Sequence, residues 1–171
     1  ICEFADGTGT DARFKTIASL AVRGSEELLF GGEGSIRKLD LASGRVETLA
    51  GAPGYVGQID GIGVHAQVGY IVAVASTSEL AYFIDVAGWE STPAGSFPLA
   101  PWFGRIRSLD PATGEVSTIA GALPLASAWL GERDGDRPTF LYPWSLLERA
   151  GQLLVGERSA LREVSPSDGS A

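Results

Sequence analysis

One cysteine, one histidine, two lysines and no methionine occur in this 171-residue sequence. Cys2 alone closes no intrachain disulfide, and with His65 as its only imidazole partner it cannot complete a zinc set. Two readings stay open for Cys2: a small buried or chain-end residue, or one half of an intermolecular disulfide in a secreted protein. The lysines are Lys15 and Lys38, the arginines are dispersed, and 21 acidic against 13 basic residues leave a formal net charge of −8. Phosphate neutralisation needs concentrated Lys and Arg, so a nucleic-acid partner is disfavoured. No apolar run approaches the roughly 18 residues of a membrane-spanning helix. The opening, Ile1-Cys2-Glu3-Phe4, carries neither a methionine start nor a secretory leader pattern, and the expectation is a processed or partial polypeptide.

Catalytic signatures are equally sparse. There is no Gly-x-Ser-x-Gly element, and a Ser-His-Asp triad would have to use His65, with nothing in the sequence placing a serine beside it. A D-x-D-x-D-G spacing, which would load several carboxylates onto one calcium ion, is only faintly echoed in Asp134-Gly135-Asp136. No catalytic residue, cofactor or metal ligand is therefore assigned.

What the sequence has is glycine, 23 residues spread evenly along the chain, and a repeat. Residues 36–51, IRKLDLASGRVETLAG, return at 106–121 as IRSLDPATGEVSTIAG, and a shorter copy, LREVSPSDG, occupies 161–169. A second element precedes each copy: DGTGTDARF at 6–14, DGIGVHAQV at 60–68 and RDGDRPTF at 133–140. Self-similarity at a fixed period marks repeat architectures. The unit is about 55 residues, stretched in its second copy by an insertion at 87–104 rich in Gly, Pro and aromatics.

Within each unit, short runs alternate with turn residues. Strands are expected near 18–23, 26–31, 35–40 and 45–50, and again near 69–75, 80–86, 104–110 and 115–120. No stretch of ten residues suits a helix. The first two runs of each unit are the more apolar, which predicts inner strands covered on both faces and outer strands half exposed. A repeated four-stranded antiparallel sheet that cannot bury its faces alone is a propeller blade. The fold class is thus all-β, with blades at 15–51, 68–121 and 140–171, the last without its outer strand.

The succession Asp6 to Phe14, Leu20-Ala21-Val22, Ile36 to Asp40, Ser43-Gly44 and Thr48 to Gly51 resembles NHL repeats. The resemblance covers nearly the whole chain outside the insertion. It implies a six-bladed β-propeller, of which this chain supplies half, completed by more chain, by a partner or by a second copy. It also implies an interaction platform, with an extracellular or organelle-lumen setting preferred. Relatives of that kind include RNA-binding domains, sensor domains and a few enzymes, so a propeller lyase or lactonase with a central metal stands as the alternative. The family's Asn-His-Arg before the Ile-Arg strand is absent, replaced by Gly32-Glu33-Gly34-Ser35, Trp102-Phe103-Gly104-Arg105 and Glu157-Arg158-Ser159-Ala160.

Several side chains carry individual expectations. The Asp-Gly pairs at 6, 60 and 134 read as tight turns, aspartate bonding backbone amides and glycine supplying positive φ. Arg13 and Arg137 are expected to bridge blades through a buried carboxylate, and His65 to be a loop substituent. Trp89, Phe97, Trp102 and Phe103, in or beside the insertion, are candidate partner anchors, with packing on the insertion's own core as the other reading. Trp129, Tyr142 and Trp144 are expected to pack between blades.

Overall fold

A computed structural model describes residues 4–32, 34–87, 103–121 and 138–171. They form three antiparallel sheets in chain order. The first joins β1 (Gly7–Thr8), β2 (Ser19–Arg23), β3 (Glu27–Gly31), β4 (Ser35–Asp40) and β5 (Arg45–Gly51) in the order β1-β5-β4-β3-β2. The second repeats that order with β6 (Gly61–Ile62), β7 (Tyr70–Ser76), β8 (Ala81–Ala87), β9 (Phe103–Leu109) and β10 (Glu115–Ala120), and adds β11 (Phe140–Leu141) beside β9. The third holds β12 (Ser145–Arg149), β13 (Gln152–Gly156) and β14 (Leu161–Val164). Among the described residues the three sheets do not close into a ring.

Strands β2–β5, β7–β10 and β12–β14 each follow one another as a meander, and the turn after the third strand of each is tight. Between β4 and β5, Asp40 accepts bonds from the Ser43 amide and hydroxyl at 2.7 Å each, and Gly44 N–H returns to the Asp40 carbonyl. Asp110, Thr113 and Gly114 build the same turn between β9 and β10, and Ser165 and Gly169 repeat its closing bond after β14. Such side-chain-stabilised turns fix hairpin register.

The sheets stack through alternating side chains. Leu29 and Ile36 of the first meet Val74, Phe83, Leu109 and Val116 of the second in one buried cluster. Tyr82, Ile84 and Ile106 of the second meet Phe140, Leu153, Val155 and Val164 of the third in another. The 6–14 segment and its copy at 60–68 fold over the front of their sheets, so Ala66 and Val68 lie inside the first cluster. First strands come together on one side: β7 packs against both β2 and β12.

One sequence expectation needs correcting. The first strand is not everywhere covered on both faces: Leu20 and Val22 of β2 are 57% and 61% exposed. β7, between two sheets, is mostly buried, whereas β2 and β12 stand at the ends of the stack, so position in the stack decides burial.

Candidate functional site

The strongest chemical pattern is one arginine repeated at the second position of the Ile-Arg motif. Arg37, Arg107 and Arg162 are 3%, 0% and 7% exposed. All three point to the front face of their sheet, where an acidic residue and backbone carbonyls of the folded-over segment meet them.

In the middle unit Arg107 donates to Asp85 at 2.6 Å and to Asp60 at 3.0 Å. It also donates to the carbonyls of Gln67 and Ile59, both at 2.9 Å. Asp60 in turn accepts the Thr118 amide at 2.9 Å and its hydroxyl at 2.8 Å. Its carboxyl group is raised by burial but lowered further by the bonds from Thr118 and Arg107, and ends below the ordinary aspartate range. Asp85 is fully buried and takes the Gly69 amide as well. Burial pushes Asp85 up to about 6 against the pull of Arg107.

The first unit repeats the arrangement position for position. Arg37 donates to Asp6 at 2.7 Å and to the carbonyls of Arg13 and Ala5, while Asp6 accepts the Thr48 amide at 2.8 Å and hydroxyl at 2.9 Å. Burial raises the Asp6 carboxyl, and the bonds from Thr48 and Arg37 outweigh that and lower it. No second carboxylate stands here, because Gly32 occupies the place of Asp85; a β-carbon at Gly32 would lie 2.1 Å from the Thr16 carbonyl oxygen. Phe4, Phe14 and Phe30 rings surround the Arg37 guanidinium instead, at 4.3, 5.0 and 5.8 Å. In the third unit Arg162 donates to the Thr139 carbonyl at 2.8 Å and to Glu157 at 3.1 Å, and Glu157 takes the Leu141 amide as Asp85 takes Gly69.

The bonds to Asp6, Asp60 and the carbonyls of Ala5, Arg13, Ile59, Gln67 and Thr139 tie each sheet to the segment before it. Asp85 and Glu157 hold the arginine from within the sheet's own strands and hairpin, so together these bonds are anchors. The sequence reading placed the carboxylate bridge at Arg13, and that is corrected: the Arg13 guanidinium turns to the carbonyls of Thr10 and Ala12, while its own carbonyl serves Arg37. The positive φ expected at the Asp-Gly glycines falls two residues later, at Gly9 and Gly63. The aspartates bond a distant strand, β5 or β10, rather than their own turn. The repeated Ile-Arg pair was the available signal for the true anchor. Asp85 and Glu157 were missed because an acid two residues beyond the front-facing Phe83 or Val155 has no counterpart in the first unit.

Of the aromatic candidates, Phe103 opens β9 half-buried, opposite Ala87 and Leu141. Trp89, Phe97 and Trp102 lie outside the described residues, as do Cys2, Trp129, Asp134 and Arg137. Trp144 is 50% exposed and not packed away between sheets; Tyr142 is half-buried under the Arg158 guanidinium. His65 ends a one-turn helical segment on the surface, as a loop substituent. Among the described residues, no three His, Cys, Asp or Glu side chains are grouped to hold a metal ion. A cavity of about 30 Å³ beside Arg37, lined by Phe4, Phe14 and Phe30, has room for about one water molecule. No helix among the described residues is long and apolar enough to cross a membrane.

No family model matches the chain, and comparison with curated proteins finds no relative. Among solved structures, the computationally designed Ika4 protein is similar at 13% identity and a TM-score of 0.40, covering 91% of this chain and 94% of its own. A protein of unknown function from Bacteroides thetaiotaomicron VPI-5482 is similar at 17% identity and a TM-score of 0.41, covering 98% of this chain. This chain spans 45% of that protein.

Proposed function

We infer that the chain is a structural and protein-interaction module made of β-propeller units of the NHL kind, working within a larger protein or assembly. One observation carries the reading: the charged side chains that recur from unit to unit are spent on holding each unit together. Arg37, Arg107 and Arg162 each meet an acid of their own unit, and those acids also bind the Thr48, Thr118 or Leu141 amides. A propeller enzyme would instead direct recurring polar side chains from several blades to one reacting centre. The recurrence of Asp-Gly segment, Ile-Arg strand and Thr-containing outer strand supports the NHL label, and the meander order supports the blade.

Elemental analysis of the purified chain, with thermal unfolding before and after a chelator, tests this. The expected result is no stoichiometric metal and an unchanged Tm. Stoichiometric calcium or zinc whose removal lowers Tm would favour the metal-centred alternative.

A further inference from the structure

The inter-sheet packing is built twice from equivalent positions, and each end of the stack keeps one half of it. Pairing opposite the front-facing residues makes Leu20, Val74 and Leu146 equivalent, through Phe30, Phe83 and Val155. Likewise Ile36, Ile106 and Leu161 are equivalent, each lying just before the anchoring arginine. Ile36 and Val74 share the first buried cluster, and Ile106 and Leu146 share the second. Among the described residues the remaining members have no such neighbour: Leu20 is 57% exposed and Leu161 is 73% exposed. Their surroundings agree. Phe14 is 41% exposed where its equivalent Val68 is fully buried, and Leu147 is 57% exposed where its equivalent Ala75 is 7% exposed.

We propose that the front face of the first unit, around Leu20 and Phe14, docks on the back face of the third unit, around Leu147 and Leu161, of a second copy of this chain. This rests on the reading of the chain as stacked propeller units. The occupant follows from the complementarity already used inside the molecule: a front face with leucine or valine at the Leu20 position has twice received a back face with isoleucine at the Leu161 position. One chain carries one of each, at opposite ends, and a second copy satisfies both at once. The contact is heterologous, so it gives either a ring or a filament. With β2, β7 and β12 gathered on one side of the stack, the ring of two copies is the form the proposal takes.

Light scattering of the folded chain over a range of concentrations is the test, with Leu20→Glu and Leu161→Glu made separately. The wild type is expected at twice the chain mass and each variant at the chain mass, a two-fold drop. Both sites are exposed within one copy, so circular dichroism and the urea midpoint of a dilute variant should match those of equally dilute wild type. An equimolar mixture of the two variants is expected to recover a two-copy particle, because one of its two contacts has both faces intact. A wild-type monomer at every concentration overturns the proposal, as does loss of pairing in only one variant, which would mean like faces meeting. Particles that keep growing with concentration overturn ring closure. A longer polypeptide that is monomeric because its further repeats cover Leu20 and Leu161 overturns the second copy as occupant. A metal-free monomer would sink the docking and leave the module reading intact, whereas a stoichiometric, stabilising metal would sink the module reading at any mass.

Discussion

Replacing Arg107 by Met would leave Asp85 buried and Asp60 half covered, with no cation between them, and would strip one of the two bonds from each of the Gln67 and Ile59 carbonyls. Breaking a buried ion pair from one side costs about 3–5 kcal/mol, and Arg107→Met should lower the unfolding free energy read from urea titration by that order. Arg37→Met should cost less, about 1–3 kcal/mol, because the Asp6 side chain is 44% exposed and water can take over. Equal losses in the two variants would contradict the assignment of Asp85 to the middle anchor. The same acids set the response to pH. Asp6 and Asp60 have lowered folded pKa values, so their stabilisation is present above the unfolded value of 3.8 and is lost as pH falls through the lower folded values. Asp85, raised to about 6, acts in the opposite sense: its contribution is full below 3.8 and is lost as pH rises through 6. Asp60→Asn should therefore flatten the acid limb of a stability–pH curve, and Asp85→Asn the decline between pH 4 and 6. Unchanged curves would remove these carboxylates from the account.

At the scale of strands, two features recur that alternation of apolar residues does not reveal. Both outer strands carry a one-residue bulge, at Leu49 between the Thr48 and Ala50 pairings and at Ile119 between those of Thr118 and Ala120. The extra residue turns its side chain into the stack, where Leu49 and Ile119 lie against the two buried clusters. The bulge carbonyls also set the distance to the next unit. A β-carbon at the turn residue Gly114 would lie 2.8 Å from the Leu49 carbonyl oxygen, and one at Gly169 would lie 2.1 Å from that of Ile119. Gly24, at a similar φ of 62°, faces open space. Gly24→Ala should thus cost only the left-handed strain of about 1–2 kcal/mol. Gly114→Ala should add the overpacking term of about 1–3 kcal/mol, read as the difference between two urea midpoints. Equal costs would mean that the units do not meet there. The strands themselves were legible: 35–40 and 115–120 coincide with β4 and β10, and the other expected runs fall within one residue, because tight Asp, Ser and Gly turns bracket them. The bulges, the short lid strands β1 and β6 and the arginine anchors were not. The lid strands and the aspartate bonds depend on partners 31–58 residues away, and the bulges on a register that alternation does not encode.

Among the described residues, the middle unit alone has another sheet stacked on both of its faces. Nearest-neighbour stacking gives such arrays a stability profile that falls toward their ends. Peptide-resolved hydrogen exchange at two concentrations reads that profile and the state of the end faces together. In dilute solution β8 and β9 should exchange slowest, with β2 and β14 faster; on concentration β2 and β14 should gain protection while β8 and β9 stay unchanged. Protection that is uniform along the chain, or greatest at β2 or β14 in dilute solution, would contradict the stack of equivalent units on which the account is built.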